Sequence, residues 1–506
     1  MKADNKVYGI DFGNSYVRIS RLDFQGEAIM VKNLEGDSKT PAIVGFGREA
    51  NGDIYTYVGE IAKELEFVEP ESICSDVRRR MGVDVCAITY AGEVYAPEQV
   101  AALILRKVVK DAEEILETEI KDVVITYPLY YGPMERMALK NAVEIAGLNM
   151  VSTVTEPVAA ALGYGMHKKG DSQAFLVYDL GGTEFNATVL RNTPNGLEGV
   201  ALDGDHMLGG KDWDGWIAEY MERTFREKTG YEGEFHAEER QDLMLGAERV
   251  KWQLTAREKT KMIVQAGGMK ARLAMTRKEF EDGTWMFLQK TLDTVECVLL
   301  DAERKGIGQI GCIVLAGGSC NMPQVKAALE RAYPDTPVLL SAPEEAIVKG
   351  AAYYNDDKDP CGWPQKWEYS TTQKVAIPVD VRSSQTYGIK VGSKKEEKIQ
   401  NLILKGDSLP KRVHTGLIQL PKESMVKERI AVYISESMQS ELPVCQGRLV
   451  GYLRFPYPKE EKDGDYCLTD LAEIDFHISE SGTLKIEKWD RLYRKACQYE
   501  AAQDSE

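Results

Sequence analysis

Apolar and polar positions alternate from the start of the chain, and the same pattern returns later. Residues 7–22, VYGIDFGNSYVRISRL, run from an apolar strand through an Asp-x-Gly turn into an alternating strand, and residues 175–190, FLVYDLGGTEFNATVL, do the same. Alternation with a period of two on both sides of a glycine turn is typical of paired β-strands. The chain therefore contains two copies of one strand–turn–strand unit.

Two further pairs of segments follow in the same order. Residues 122–128, DVVITYP, and residues 311–319, GCIVLAGGS, each read as a buried strand that leads into a loop and a helix. Residues 155–165 and 342–354 each place a proline near a helix start, where its missing N–H costs nothing. Three pairs in one order predict two similar α/β lobes that arose by duplication.

The pattern changes after residue 354. Residues 355–374 show no periodicity and carry Pro, Gly and charges, which is typical of a linker or surface loop. Short alternating runs then recur as far as Trp489, with SESG as a hairpin turn between the last two, and they predict a small β-sandwich. The fold class is therefore α/β, and the predicted division is a two-lobed domain over 1–354 (lobes of about 1–170 and 171–354), a linker over 355–379, a β-sandwich over 380–490 and a tail over 491–506 with room for a few helical turns.

Composition and charge exclude several classes of function. The 63 basic and 80 acidic residues give a net charge of -17, which opposes binding to nucleic acid or to an anionic membrane. The N-terminus begins a strand without a basic or apolar leader, and no stretch approaches about 18 continuous apolar residues. Nine cysteines without a CxxC pair indicate reduced thiols. We therefore expect a cytoplasmic protein with no nucleic-acid or membrane partner.

Glycine turns mark the candidate ligand site. The amides at Gly13, Gly181 and Gly182 can approach a phosphate closely because glycine has no Cβ, and a turn of successive N–H groups binds anions. Asp11 and Asp179, facing each other from the two lobes, could hold Mg²⁺ through water. A single Asp-Gly turn is an ordinary hairpin corner. The matched pair, together with LAGGS after a strand, predicts a nucleotide site between the lobes.

These segments together resemble the heat-shock-protein-70 (DnaK-like) chaperone family over nearly the whole chain. YGIDFGNSYV and VYDLGGTEFNATVL look like the two phosphate loops, AERVKWQLT like the helix beside the adenosine, and IVLAGGSCNMPQV like the adenine-binding loop. The resemblance implies an actin-like ATPase domain that binds ATP or ADP with Mg²⁺, followed by a β-sandwich that binds extended hydrophobic peptides. It further implies a role in protein folding and the stress response, with unfolded polypeptide clients, a J-domain co-chaperone and an exchange factor as partners. Because little chain follows the β-sandwich, the family's helical lid is expected to be absent.

The resemblance also implies roles for individual residues. Catalytic or metal-binding roles fall on Asp11, Arg78, Glu156, Asp179, Glu184 and Asn186, with Asp11, Asp179 and Glu184 as the expected metal-side carboxylates. Nucleotide contacts fall on Gly13, Asn14, Ser15, Gly181, Gly182, Thr183, Gly209, Gly210, Glu248, Lys251, Trp252, Thr255, Gly317, Gly318, Ser319 and Glu344.

Three positions depart from the family's catalytic pattern. Arg78 stands where the family has its catalytic lysine, and Glu184 and Asn186 stand where the second loop has Thr and Asp. An arginine keeps the charge but is planar and bulkier, so it can clamp phosphate while failing to position the attacking water. Since residues two apart on a strand share a face, Glu184 and Asn186 are both expected to face the γ-phosphate and the metal.

Two functional interpretations stay open at this point, and a third is weaker. The first is a slow but working ATPase in which Arg78 neutralises charge on the γ-phosphate. The second is a nucleotide-gated scaffold or sensor without turnover, in which Glu184 crowds or repels that phosphate. A sugar or metabolite kinase on the same duplicated fold would leave the C-terminal β-domain unexplained.

The adenosine side is altered as well. Trp252 and Asn321 each stand where the family has an arginine. An indole can still stack on adenine, and the alternative is that Trp252 packs against the helix behind it.

The remaining expectations concern coupling and peptide binding. Pro128 and Arg136 match positions that pass the nucleotide state to the peptide domain, and Asp380 would keep an acidic role in a linker where Pro378 removes a backbone donor. A groove for an extended apolar segment would be lined by Ile389, Val391, Ile430 and Val432, although packing within the sandwich explains each of them equally well.

Overall fold

The structure is a computed structural model in which the chain divides into two compact units. The first comprises Met1–Pro128 and Ala138–Val379, and the second comprises Leu129–Met137 and Asp380–Glu506, whereas the sequence prediction assigned 129–137 to the first domain. The structure describes residues 2–3, 7–49, 51–83, 86–168, 173–193, 196–354, 381–382, 386–392, 397–404, 408–409, 411–419, 429–435, 439–446, 448–454, 471–478, 484–489, 494–497 and 499–501.

The first lobe is built on one mixed sheet. Its central strand, Tyr8–Phe12, pairs antiparallel with the next strand in sequence, Tyr16–Leu22, and parallel with Asp122–Tyr127. Thr40–Pro41 adds to Tyr16–Leu22 off the main path. The strand order along the path is Asn149–Thr155, Asp122–Tyr127, Tyr8–Phe12, Tyr16–Leu22 and Ala28–Val31.

The second lobe repeats this topology. Its central strand, Ala174–Leu180, pairs antiparallel with Phe185–Thr193 and parallel with Ile313–Ala316. Identical strand order and direction in the two sheets confirm the duplication that the repeats predicted. The order along the path is Val338–Leu339, Ile313–Ala316, Ala174–Leu180, Phe185–Thr193 and Gly196–Asp205.

Two helices cross between the lobes at a pair of glycines. Glu156–Gly163 and Pro343–Tyr353 each have a proline in the first turn, as predicted. A Cβ on Gly350 would lie 1.7 Å from the carbonyl oxygen of Ala159, and a Cβ on Gly163 would lie 2.2 Å from that of Ala346. The two helices therefore approach backbone to backbone, at a distance that only glycine permits.

Buried apolar side chains of the first unit form two large clusters and a small one at Ile43, Ala62 and Ile73. One large cluster lies in the second lobe around the fully buried Trp213, and the other joins both sheets and both crossing helices through residues such as Val158 and Phe175. The other helices are Glu60–Glu64, Pro97–Leu116, Pro133–Ile145, Gly210–Thr229, Ala237–Ala256, Arg277–Arg304 and Pro323–Ala332, with 3-10 turns at Val77–Arg80, Met166–Lys168 and Gly318–Asn321. The other strands are Lys2–Ala3, Val44–Arg48, Ile54–Val58, Ile73–Cys74, Ile88–Tyr90, Glu93–Tyr95, Thr118–Glu119, Lys259–Ala266 and Met269–Thr276.

The second unit contains antiparallel sheets. Leu471–Ile478 and Leu484–Trp489 pair with Ile478 opposite Leu484, which agrees with the predicted hairpin. One sheet has the order Glu441–Pro443, Lys398–Ile403, Thr386–Val391, Arg429–Ser435, Arg448–Arg454 and Tyr499–Ala501; another has Lys411–Gln419, Leu471–Ile478, Leu484–Trp489 and Arg494–Cys497; and Val381–Arg382 pairs with Ser408–Leu409.

The tail differs from the expectation. Arg494–Cys497 and Tyr499–Ala501 are strands, not helical turns, and each pairs with the edge of a sheet. An edge strand presents unpaired N–H and C=O groups that a short following segment can satisfy, whatever its own propensity. The predicted linker over 355–379 lies outside the described residues.

Candidate functional site

A cavity of about 760 Å³ lies between the two lobes of the first unit. Its lining includes every residue predicted for the nucleotide and catalytic site except Gly209 and Asn186. Segments from across the first unit supply these residues, so the cavity exists only once both lobes have formed. The lining also includes several residues that the sequence did not single out, namely Tyr16, Arg18, Lys39, Lys63, Glu66, Lys211, Asp214 and Gln241.

The two phosphate loops are close-packed turns that require glycine. A Cβ on Gly182 would lie 2.3 Å from Ser15 Oγ, and a Cβ on Gly13 would lie 2.5 Å from the carbonyl oxygen of Tyr16. A Cβ on Gly209, which precedes the helix Gly210–Thr229, would lie 2.4 Å from Thr183 N. Gly209 therefore does not line the cavity but lets this helix start directly against the second loop.

Three buried carboxylates line the cavity together with these loops. Asp11, Glu156 and Asp179 are each less than a tenth exposed. Burial raises the pKa of Asp11 and of Glu156, and the pKa of Asp179 is raised well above its usual value by burial and by the charges of Glu156 and Asp11. Thr126 Oγ1 donates to Asp11 Oδ1 at 3.2 Å. An arrangement of acids with little water around it favours a bound cation.

These residues fit Mg²⁺ bound through its water molecules. Within the described part of the chain, no three His, Cys, Asp or Glu side chains lie close enough to ligate one ion directly. Mg²⁺ commonly keeps several of its waters, and Asp11 and Asp179 could accept hydrogen bonds from them. Asn14 Oδ1 and Ser15 Oγ are buried without a hydrogen-bond partner, so the first loop retains polar atoms for a ligand. When bound, the ion would neutralise negative charge on the carboxylates and the phosphates.

Arg78 joins the two lobes through an ion-pair network that the sequence did not predict. Its Nη1 donates to Glu156 Oε1 at 2.5 Å and to the carbonyl oxygen of Phe12 at 2.9 Å, and its Nη2 donates to the carboxylate of Glu184. All three charged residues are at most 5% exposed. Glu184, expected as a metal-side ligand, is therefore the partner of Arg78 from the opposite lobe.

Glu184 and Asn186 do not both face the cavity as expected. The strand begins at Phe185, so Glu184 lies in the turn before it, and the alternation of a strand does not govern its direction. Asn186 lies opposite Asp179 in the antiparallel ladder but is absent from the lining. The prediction failed because it extended the strand one residue too far.

Glu248, Lys251 and Trp252 line the end of the cavity where the nucleotide base is expected, which is called the base end below. Hydrogen bonds between the two lobes hold this end together. Glu248 accepts from Lys63 Nζ at 2.6 Å and from Tyr16 Oη at 2.7 Å. Burial by itself raises the pKa of Glu248, but Lys63 and Tyr16 hold it below the usual value. Lys251, predicted to pair with the nucleotide, donates to Asp214 Oδ2 at 2.7 Å and to the carbonyl oxygen of Gly210. Lys63 could not be found from a local motif, because its partner lies far away in sequence.

The LAGGS loop forms a further part of the cavity lining. Gly317 has φ of 82°, and Ser319 Oγ donates to the carbonyl oxygen of Gly181 at 2.8 Å, tying this loop to the second phosphate loop. Asn321 Nδ2 donates to Glu344 Oε2 at 2.8 Å. Gly318 and Thr255 also line the cavity, and the Thr255 hydroxyl donates to the carbonyl oxygen of Trp252 at 2.6 Å.

Comparison with known proteins identifies this architecture. The family model described as Hsp70 protein matches residues 7–87 and 83–360. The chain belongs to the Hsp70 family. Its relatives include the chaperone protein DnaK of two strains of Halobacterium salinarum (R1 and NRC-1), each 33% identical over 356 residues, which are 69% of this chain and 55% of the relative. The match thus spans about half the length of these relatives. Hsp70 proteins are ATP-binding chaperones whose cofactors are ATP or ADP and Mg²⁺.

The residues expected to couple the domains are only partly described. Pro128 follows the strand Asp122–Tyr127, and Arg136 lies in the helix Pro133–Ile145, where its Nε donates to the carbonyl oxygen of Tyr131 at 3.1 Å. Asp380 and Pro378 lie outside the described residues. A coupling role for these positions stays a prediction.

The residues expected in the peptide groove are buried where they are described. Ile389 and Val432 are opposite each other on paired strands and fully buried, and Val391 is 4% exposed. Their burial fits packing within the β-domain, the alternative that the sequence left open. The side chain of Ile430 lies outside the described part. No helix that the structure describes is long and apolar enough to cross a membrane.

The raised pKa values predict how this Hsp70 site responds to pH. A carboxyl whose pKa is higher in the folded state stabilises folding below its unfolded pKa, and this contribution is lost as the pH rises through the folded pKa. We therefore expect Asp179→Asn to raise the melting temperature of the ligand-free protein at pH 8, with a smaller gain at pH 5. Calorimetry at the two pH values measures the difference. An equal gain at both values would show that Asp179 keeps an ordinary pKa.

Proposed function

We propose that this chain binds Mg·ATP between the two lobes of its first unit and works as an ATP-dependent chaperone of the Hsp70 type, with slow hydrolysis. The observation that carries the proposal is the juxtaposition of two glycine loops with three buried carboxylates in one cavity. Glycine turns offer backbone amides to phosphate, and Asp11 and Asp179 could hold Mg²⁺, which would offset the negative charge of the carboxylates and the phosphates. Neither feature has a use in a purely structural core.

Slow hydrolysis is expected because Arg78 is already paired with two carboxylates. A guanidinium that stabilises a transferring phosphoryl group must direct its donors to the phosphate. Here the donors of Arg78 already bind Glu156 and Glu184, and both carboxylates are held in place by burial. A γ-phosphate would have to compete with two fixed anions for this one cation. The ion-pair network therefore supports nucleotide binding with little help to the chemical step.

The same network favours a second candidate function, a nucleotide-gated scaffold or sensor that does not hydrolyse ATP. Arg78 connects Glu156 of the first lobe to Glu184 of the second, so it stabilises a closed arrangement of the lobes. Nucleotide binding could then shift the lobes without any chemical step. The rate of turnover separates this candidate from the slow ATPase.

The activity of the second unit also belongs to this proposal. We propose that it binds extended hydrophobic segments of unfolded polypeptides, with a J-domain co-chaperone and an exchange factor as partners and a cytoplasmic location. Support comes from the DnaK relatives and from the antiparallel sheets of the unit. The buried Ile389 and Val432 would have to become accessible for the predicted groove to contact a peptide.

The test measures Mg·ATP affinity and single-turnover hydrolysis together, for the wild type, Glu184→Thr, Asn186→Asp and the double variant. We expect tight binding in all four proteins and slow turnover in the wild type. Glu184→Thr frees Arg78 from one anion and should accelerate turnover by up to about 100-fold, the lower end of the range for one donor that stabilises developing charge. Asn186→Asp is the matched control, since Asn186 does not line the cavity, and should change turnover little.

Each outcome of this experiment decides between the candidates. Binding without turnover in any variant would favour the scaffold or sensor. Turnover that is fast in the wild type would contradict the role assigned to the Arg78 network. No binding of Mg·ATP in the wild type would overturn both candidates.

A further inference from the structure

One contact at the base end of the cavity has no role in the function proposed above. Lys39 Nζ lies 3.8 Å from the ring centre of Trp252 and 4.2 Å from the ring centre of Tyr16. Trp252 belongs to the helix Ala237–Ala256 of the second lobe, whereas Lys39 and Tyr16 belong to the first. All three line the cavity, and Trp252 is 46% exposed. The contact therefore connects the two lobes across the cavity.

Both distances are in the range of strong cation–π contacts. An ammonium within about 6 Å of a ring centre is attracted by the negative face of the ring, most of all for tryptophan. Among the described residues Lys39 has no ion pair with a carboxylate, so the two rings are its principal partners. The position of Lys39 is thus set by Trp252 and Tyr16.

An ammonium and a nucleotide base cannot occupy the same face of Trp252. A stacked base makes van der Waals contact with the ring, at carbon separations of about 3.5–4 Å. Lys39 Nζ already lies at this height above the indole. A base can stack on that face only after Lys39 has left it.

We infer that Lys39 is a built-in competitor for the base-stacking face of Trp252 and lowers the affinity of the site for nucleotides, but not for the polyphosphate alone. This inference rests on the proposed function, because it requires a nucleotide whose base lies against Trp252. On this inference, Lys39 reduces the contribution of the nucleotide base to the binding affinity.

The charges around Lys39 give the inference a pH dependence. The pKa of Lys39 is lowered to about 8, chiefly by burial; Arg18 and Lys63 also lower it, and Glu248 and Glu60 act in the opposite direction. A neutral amine binds an aromatic face much more weakly than an ammonium. Competition should therefore weaken, and nucleotide affinity should increase, as the pH rises through about 8.

Titration calorimetry of the full chain with Mg·ATP and with Mg·tripolyphosphate tests the inference. Lys39→Ala should tighten ATP binding by about two- to fivefold, the factor expected for one partly exposed cation–π contact. It should leave tripolyphosphate binding unchanged or slightly weaker, because that ligand has no base. Lys39→Arg keeps a cation on the rings, and arginine stacks on aromatic faces at least as well as lysine, so this variant should not tighten ATP binding.

A Trp252→Leu background and a pH series test whether Lys39 acts through the ring of Trp252. In a Trp252→Leu background, Lys39→Ala should have no further effect on ATP affinity, and in the wild type the ratio of ATP to tripolyphosphate affinity should increase between pH 7 and pH 9. Weaker ATP binding in Lys39→Ala, or equal changes for both ligands, would overturn the inference while leaving nucleotide binding intact. If the wild type bound neither ligand, the proposed function itself would be wrong.

Discussion

Replacing Arg78 by methionine should lower the free energy of unfolding of the first unit by about 3–5 kcal/mol, the usual loss when one partner of a buried ion pair is removed. Glu156 and Glu184 would then remain buried without their shared cation, close to Asp11 and Asp179. Burial already raises the pKa of Glu156, and loss of Arg78 removes the main opposing influence. Urea denaturation of the full chain, monitored by tryptophan fluorescence, measures this loss of unfolding free energy.

Two comparisons separate this effect from the loss of an ordinary arginine. Arg106 is exposed and donates only to the carbonyl oxygen of Ile145 in the contacts described, so Arg106→Met should change stability by about 0.5 kcal/mol or less. The loss in Arg78→Met should also shrink at pH 5, because protonated carboxyls no longer need a cation. A loss below about 1 kcal/mol at neutral pH would mean that the two glutamates do not depend on Arg78.

Gly350→Ala should destabilise the first unit by about 3 kcal/mol or more, at the upper end of the usual range for overpacking. The new Cβ would lie 1.7 Å from the carbonyl oxygen of Ala159, which is backbone and cannot rotate away. The two crossing helices would have to move apart, and both lobes are attached to them. The midpoint of thermal unfolding, with and without Mg·ATP, measures the effect.

Gly215→Ala is the matched control for this prediction. Gly215 lies inside the helix Gly210–Thr229, and apart from its chain neighbours and the backbone of its own helix no atom lies within 4 Å of its ideal Cβ position. Alanine is favoured over glycine inside a helix by about 0.8–1.0 kcal/mol, so this variant should be slightly more stable than the wild type. If Gly350→Ala were also stabilising, the helices would not cross as closely as the structure shows.

The duplicated fold was predictable because its signals are local. Apolar alternation, Asp-x-Gly turns and prolines at helix starts each depend on a few neighbouring residues. The same signals appear twice in one order, and the two sheets indeed share one strand order. The strands at Arg494–Cys497 and Tyr499–Ala501 were missed for the opposite reason, since pairing with a sheet edge decides their conformation.

The members of the site were largely predictable, but their partners were not. Glycines and acids such as Gly182 and Asp179 were identified from their turns, and the cavity contains them. The bond from Arg78 to Glu184 connects residues 106 positions apart, and no pattern within either segment indicates it. The strand begins at Phe185, one residue later than expected. The direction of the Glu184 side chain is therefore not set by the alternation of the strand.

The sequence by itself determined that this is a duplicated two-lobed α/β protein of the Hsp70 family, with glycine loops and acids for a nucleotide and Mg²⁺. Only the tertiary structure decided that Arg78 is held by two glutamates and that Lys39 covers Trp252. The physical reason is that turns and strand periodicity are set by covalent neighbours. Ion pairs and cation–π contacts depend instead on distances between segments that meet only in the folded protein.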